Sequence, residues 1–425
     1  MKSIIFWIMG IGIFLSPLIS MAMPQDSTVQ LTQLIQEALA NNPDLKASYN
    51  AWQASKLRVP QAGSLPDPVL ELGIMNLPVN SFDFQREPMT GKQIGLMQMF
   101  PFPGKLELKE KIAAETALIA EMQYQELQNQ LIKSIKLTYY ELYYNGKAID
   151  VSQRNRALLG QFAQIAETRY RVGKGLQQDM LRAQVELAKI DEKIIQLHQN
   201  RVILLAQLKF ILNRKTSQPI QGNFFINEID SLKIFDLSDL KSLAKQNRPL
   251  LHAWLHMSQK SHHEVKLAKK SYLPDFSLEM AYMQRDDLIS GMAGIDFLSG
   301  SIRINLPIYF WKKQSREVEE SKYNDLSITQ KYEYILREIE RELESKWSEL
   351  DKNRRLLELY KGGILTQASQ AVKSALAAYQ VDKVDFLTLV NNQTNLFQYE
   401  LDYHRILSEY YKNIAELEAL VGKEL

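Results

Sequence analysis

Two hydrophobic periodicities alternate along this chain. From Thr28 the apolar residues fall at helical spacing. Leu31, Leu34, Ile35, Ala38 and Leu39 make an i, i+3, i+4 stripe that predicts a helix from Thr28 to about Pro60. A second helix is predicted from Leu106 to about Tyr170, a stretch without proline. Unbroken, it would extend roughly 100 Å at about 1.5 Å per residue. A third follows from Leu176 to Leu212. Three more are predicted at about Leu237 to Lys270, Ser315 to Tyr379 and Asp385 to Val421, with a kink at Gly362-Gly363. Between helices the period drops to two. Leu70, Leu72 and Ile74 alternate with Val69, Glu71 and Gly73. Phe276, Leu278, Met280 and Tyr282 alternate with Ser277, Glu279, Ala281 and Met283. Ser301 to Leu306 alternates as cleanly, and Gln93 to Phe100 is a less regular fourth run.

The pattern is stated twice. Pro43 and Pro249 are 206 residues apart, Pro66 and Pro274 are 208 apart, and Pro101 and Pro307 are 206 apart. Tyr170 and Tyr379 are 209 apart, as are Gln184 and Gln393. Five ordered anchors at near-constant offset indicate an internal duplication. Each half reads helix, strand, strand, long helix, turn, helix. The expected organisation is a leader at 1–22, a first repeat at 23–230 and a second at 231–425, intertwined in one body.

Composition narrows the class. Lys2, the uncharged apolar run Ile4 to Leu15 and the small residues of Ser20-Met21-Ala22 have the form of a secretory signal. There is no cysteine, hence no disulfide, thiolate metal site or lipidated N-terminal cysteine. Net charge is +2, which gives little reason to expect nucleic acid as a partner. After Ala22 no uncharged apolar run approaches about 18 residues, so no helical membrane span is expected.

The long helices carry narrow apolar stripes between Glu, Lys and Gln, a pattern suited to side-by-side coiled-coil packing. The strands decide what such helices serve. Runs of about 9–11 residues, apolar on one face and polar on the other, mark a transmembrane β-barrel. Tyr282, Phe297 and Phe100 near strand ends fit its aromatic girdles. A half-buried soluble sheet alternates in the same way, which keeps open a soluble periplasmic coiled-coil adaptor or scaffold. Four strands cannot close a barrel, since about eight is the usual minimum, and open edges are not tolerated in lipid. Lipid-facing strands therefore require a barrel shared between copies.

Several short stretches occur in a fixed order: Ala38-Leu39-Ala40-Asn41-Asn42-Pro43, Leu65-Pro66-Asp67, Phe100-Pro101-Phe102-Pro103-Gly104-Lys105, Thr138-Tyr139-Tyr140-Glu141-Leu142, Arg169-Tyr170-Arg171-Val172-Gly173, Leu273-Pro274-Asp275, Leu306-Pro307 and Leu417-Glu418-Ala419-Leu420-Val421-Gly422. With their duplication they resemble the TolC-like outer-membrane efflux proteins over nearly the whole chain after the leader. Phe100 to Lys105 is similar to the heavy-metal branch of that family. The resemblance implies a mainly α fold with a small β part. It implies a homotrimer with a twelve-stranded β-barrel in the outer-membrane lipid of a Gram-negative bacterium and a twelve-helix α-barrel in the periplasm. Asn213 to Ser238 and the C-terminal tail would form an equatorial belt. The function implied is a passive export duct of a tripartite efflux or type I secretion system. Its partners would be a periplasmic adaptor (membrane fusion) protein and an inner-membrane pump of RND or ABC type.

Residue by residue, the resemblance places the periplasmic tips at Arg169 to Gly175 and Tyr379 to Asp385. Adaptor docking falls on Arg171, Val172 and Gly173 and on Gln380, Val381 and Asp382. Gly173 suits a turn at positive φ. The second copy has Asp382 in place of the glycine, a residue that tolerates left-handed geometry better than most. Asp382 and Asp385 at a three-fold tip would make gate carboxylate rings, and Glu71, Glu279 and Arg303 would line the barrel lumen.

Enzymatic chemistry finds little purchase. The chain has no phosphate-cradling glycine motif and no nucleophile elbow, so no catalytic, cofactor or metal residues are assigned. His252 and His256 are spaced i, i+4, but Ala253, Trp254 and Leu255 between them supply no carboxylate. Met75, Met89, Met97 and Met99 read as packing, as do Tyr139, Tyr140, Tyr143 and Tyr144 on one side of the long helix.

Overall fold

A computed structural model describes residues 28–220, 222–226 and 232–425. The leader expected at 1–22 and the repeat boundary at 230 lie outside the described residues. In chain order the elements are β1 (Thr28–Val29), α1 (Leu31–Asn41), α2 (Pro43–Gly63), β2 (Val69–Met75), β3 (Gly91–Phe100), α3 (Lys105–Arg171) and α4 (Gln177–Ile211). Then come β4 (Asn223–Phe224), α5 (Leu237–Asn247), α6 (Pro249–Lys270), β5 (Phe276–Gln284), β6 (Phe297–Ile304), α7 (Gln314–Leu359), a π-helical turn at Tyr360–Ile364, α8 (Leu365–Gln380) and α9 (Phe386–Val421).

Two of the expected helices are each divided in two. The helix expected from Thr28 to about Pro60 breaks at Asn42, and the one expected from Leu237 to Lys270 breaks at Arg248. Both residues precede a proline, whose ring pushes the preceding backbone out of the helical region. They adopt ψ of 123° and 116°. Each proline then takes the first position of the next helix, where its missing N–H costs nothing. The Asn42 side chain caps that start by accepting from Leu45 N at 3.1 Å. Pro60 does not end α2, which runs on to Gly63.

α3 is one helix of 67 residues, about 100 Å long at the standard rise. Its counterpart in the second repeat also runs from Gln314 to Gln380, but the expected kink at Gly362-Gly363 takes the form of the π-helical turn. The helical core lies between these helices and α4, α6 and α9. Ile135, Leu142, Leu208, Leu343 and Leu417 are fully buried there, each contributing about 1.5–3 kcal/mol relative to exposure. A second, smaller seam near the helical tips joins Phe162, Ala183, Phe386 and Leu389. Tyr139 and Tyr143 are buried in the bundle, as packing predicts. The Tyr139 hydroxyl lies 2.9 Å from Val29 O and 3.0 Å from Phe225 O, fastening the two-stranded sheet β1-β4 to the middle of α3. Of the expected belt, the described parts meet α7 and each other: Trp347 Nε1 donates to Phe235 O at 2.8 Å, and Lys233 Nζ donates to Leu425 O of the C-terminal tail at 2.6 Å.

The four longer strands form one antiparallel sheet in the order β2-β3-β5-β6. β6 begins at Phe297 and ends at Ile304, four residues earlier at its start and two at its end than the run Ser301 to Leu306 suggests. Strands of 7 to 10 residues span roughly 24–34 Å, enough for the apolar band of about 25 Å in a membrane barrel. Among the described residues no helix is long and apolar enough to cross a membrane.

Candidate functional site: two helical tips and a two-faced sheet

The molecule offers two places where function is legible, and they lie at opposite ends of the long helices.

The first is the pair of tip turns. After α3 the chain reverses through Val172, with Gly173 at φ 74°. After α8 it reverses through Val381, with Asp382 at φ 60°. The two turns are closed by the same bond: Lys174 N donates to Arg169 O at 2.8 Å, and Lys383 N to Ala378 O at 2.9 Å. The left-handed position is therefore kept in both repeats, by a glycine in one and an aspartate in the other. Val172 and Val381 occupy equivalent positions and are 64% and 62% exposed. Arg171 pairs with Glu167 on its own helix at 2.5 Å, and Gln380 is exposed.

Arg169, just before the first turn, joins the two tips. Its guanidinium forms an ion pair with Asp382, donates to Tyr379 O at 2.6 Å and lies 4.8 Å from the centre of the Tyr379 ring. The two aspartates singled out at this tip thus differ in use. Asp382 is held by Arg169. Asp385 caps α9, accepting from Thr388 N at 2.8 Å, and its hydrogen bonds to Thr388 keep its carboxyl below the usual range. Burial raises Asp179 on the facing helix, helped by the nearby Asp385 charge. The Arg169 link was invisible in the sequence, since the matching position in the second repeat is Ala378. Only the facing of the two turns brings Arg169 to Asp382.

The second place is the sheet. Register puts Leu70, Leu72, Ile74, Ile94, Leu96, Leu278, Met280, Tyr282, Leu298, Ile302 and Ile304 on one face. All are exposed, an apolar patch of the kind that marks a membrane or protein contact. The other face carries Glu71, Gln93, Met97, Ser277, Glu279, Ser299, Ser301 and Arg303. Arg303 and Glu279 form an ion pair at 2.5 Å on that polar face, while Glu71 has no ion-pair partner among the described residues. Phe297 departs from the expected girdle: its register opposite Met283 puts it on the polar side, where Arg285 covers its ring at 4.1 Å. Tyr282 and Phe100 lie on the apolar face, and Phe100 stacks on Phe276 at 5.4 Å. β2 and β6 each pair on one side only, so both edges of the sheet are open.

The histidines do not converge. His252 Nε2 lies 2.9 Å from Gln246 O, and His256 Nδ1 lies 2.8 Å from Glu115 Oε2. Among the described residues no three His, Cys, Asp or Glu side chains are placed to hold a metal.

Comparison with known proteins follows the same lines. The outer membrane efflux protein family model matches residues 34–214 and 240–423. Those two blocks begin 206 residues apart and end 209 apart, which is the offset of the internal duplication. No curated protein matches the chain. Among solved structures the chain is similar to the outer-membrane channel OprN, with 18% identity, TM-score 0.79, and 92% of this chain and 89% of that one covered. It is similar to VceC of Vibrio cholerae at 15% identity and TM-score 0.78, covering 93% and 96%. It is also similar to the open state of MtrE of Neisseria gonorrhoeae at 14% identity and TM-score 0.76, covering 93% and 89%. Two matched halves, helical tips and a two-faced sheet together carry the conclusion that the chain belongs to the outer membrane efflux protein family and acts as an outer-membrane efflux component.

Proposed function

We propose that three copies of this chain assemble into one export duct, with a shared twelve-stranded barrel in the outer membrane and a helical barrel of α3, α4, α7–α8 and α9 reaching into the periplasm. The observation that carries this is the sheet: four strands, one largely apolar face in the open, interrupted by Lys92, Gln98 and Gln284, and two unpaired edges. In lipid each unpaired backbone group costs several kcal/mol, so the edges must be closed by other copies. Three copies make twelve strands, above the minimum of about eight.

In this reading Glu71, Glu279 and Arg303 line the lumen. The tips dock on a periplasmic adaptor (membrane fusion) protein through the exposed valines and their neighbours Arg171, Gly173, Gln380 and Asp382. An inner-membrane pump of RND or ABC type drives export, and the duct itself is passive. The Arg169–Asp382 pair ties the two helical hairpins of one protomer and favours a closed tip, with the Asp385 carboxylates beside it. Light scattering of the detergent-extracted species, corrected for bound detergent, tests the assembly. A mass of three chains supports it, and a protein released from cells as a monomer without detergent overturns it.

A further inference from the structure

The internal duplication makes a specific statement about the seam between copies, one that rests on the trimeric reading above. The sheet shows that the duplication holds at the level of single strand pairs. Leu70 lies opposite Leu96. The residue 208 on from Leu70 is Leu278, the residue 206 on from Leu96 is Ile302, and Leu278 lies opposite Ile302. Every pair of the first hairpin maps onto a pair of the second in this way: Glu71 and Gly95 onto Glu279 and Ser301, Gly73 and Gln93 onto Ala281 and Ser299. The two hairpins are copies in register as well as in sequence.

Within the chain the hairpins meet along β3 and β5, where Met97 lies opposite Glu279 and Leu96 opposite Met280. A barrel closed from identical repeats must join β6 of one copy to β2 of the next, and this seam is the counterpart of the β3–β5 contact. Carrying the same two offsets across it, Met97 becomes Arg303 and Glu279 becomes Glu71. We infer that β6 pairs antiparallel with β2 of the next subunit in the register that sets Arg303 opposite Glu71 of the partner subunit and Ile302 opposite Leu72 of the partner subunit. Arg303 then stands between two carboxylates, Glu279 of its own chain and Glu71 of the partner subunit.

Three independent features agree with this register. The faces match, because Ile304, Ile302 and Gly300 meet Leu70, Leu72 and Ile74 of the partner subunit on the apolar side, while Arg303 and Ser301 meet Glu71 and Gly73 of the partner subunit on the polar side. A slip of one residue would carry Leu and Ile side chains into the lumen. The charges match as well. Arg303 is 61% exposed on the side chain although one carboxylate already holds it, and its guanidinium has donors to spare for a second. Glu71 has no ion-pair partner among the described residues of the single chain. Both strands also present full edges, with every residue of β6 exposed. The lumen would carry three Glu279–Arg303–Glu71 clusters, one at each seam, each with a net charge of minus one.

The chain has no native cysteine, so introduced pairs report without background. Directly opposed residues have Cα atoms about 4.5–5.5 Å apart, within reach of a disulfide, while pairs slipped by two residues stand about 7–8 Å apart, beyond it. The full-length protein would be oxidised in outer membranes as I302C/L72C and as R303C/E71C, and as the slipped controls I302C/L70C and I302C/I74C, then denatured without reductant. Light-scattering mass is recorded for each variant. Covalent trimers from the first two and none from the controls are expected. A mass of three chains with covalent trimers only from a slipped pair, or from none, overturns the register and leaves the trimer standing. A mass of one chain for the variants and the parent alike overturns the trimeric reading itself.

Discussion

Arg169 and Asp382 stand 213 residues apart in the chain and form an ion pair between the two tip turns. The pair links the end of α3 to the left-handed residue that follows α8, so a charged contact joins the two helical hairpins of one protomer at their tips. Arg169 → Ala removes that contact together with its bond to Tyr379 O. The expected result is a larger resting conductance of the reconstituted channel and greater uptake of bulky hydrophilic antibiotics by cells. An unchanged conductance would show that the tip is closed by other contacts.

Asp382 separates charge from backbone geometry. At φ 60° a glycine meets no penalty, whereas alanine carries a cost of about 1 kcal/mol. Asp382 → Gly is expected to raise conductance as Arg169 → Ala does, with thermal stability close to the parent. Asp382 → Ala should raise conductance similarly and be less stable than the glycine variant by about that amount. Melting curves beside bilayer recordings separate the two effects.

The π-helical turn at Tyr360–Ile364 contains Gly362 and Gly363. A Cβ at Gly362 meets nothing within 4 Å, and one at Gly363 comes no closer than 3.8 Å to Gln367. Alanine therefore fits at both, and should stabilise the helix by up to about 1 kcal/mol per site. Hydrogen exchange across 360–364 is expected to slow in the double variant. A hinge role for the turn predicts lower conductance in the open state, and no change in conductance would limit the turn to a packing adjustment.

His404 gives the bundle one pH-dependent contribution to its stability. Burial, with repulsion from Lys147 and Arg154, pushes it down to about 4 from an ordinary value of 6.5. The Tyr143 hydroxyl lies 3.4 Å from its Nδ1. Because the folded value is the lower one, the unfolded chain takes up the proton first. Its contribution to stability is complete above about pH 6.5 and is lost as pH falls from there towards about 4. His404 → Gln should flatten that part of the melting-temperature profile relative to the parent. Equal slopes in the two proteins would place the dependence elsewhere.

Asn42 tests the break between α1 and α2. It caps Leu45 N and donates to Ile211 O at 3.3 Å. Asn42 → Ala is expected to cost about 1 kcal/mol, seen as a lower melting temperature. Asn42 → Asp, which keeps the cap and loses only the longer bond, should lie between the two.

Much of this molecule is written locally. Six helical regions, four strands, the duplication and both tip turns follow from stripes of period 3.6, alternations of period 2 and a handful of prolines, glycines and aspartates whose backbone preferences are their own. The helix breaks at Asn42 and Arg248 were missed, although each residue precedes a proline that served as an anchor of the repeat and whose ring disfavours helix just before it. What the sequence could not supply was facing. Nothing in the residues around Arg169 announces Asp382, and alternation places Arg303 and Glu279 on polar faces without saying that those faces coincide. Such contacts join positions far apart in the chain, and they exist only once packing has chosen which helices and strands lie side by side. Periodicity determines which face of an element is buried; the element it is buried against is decided by the tertiary structure, because many partners satisfy the same apolar stripe and one arrangement satisfies them all together.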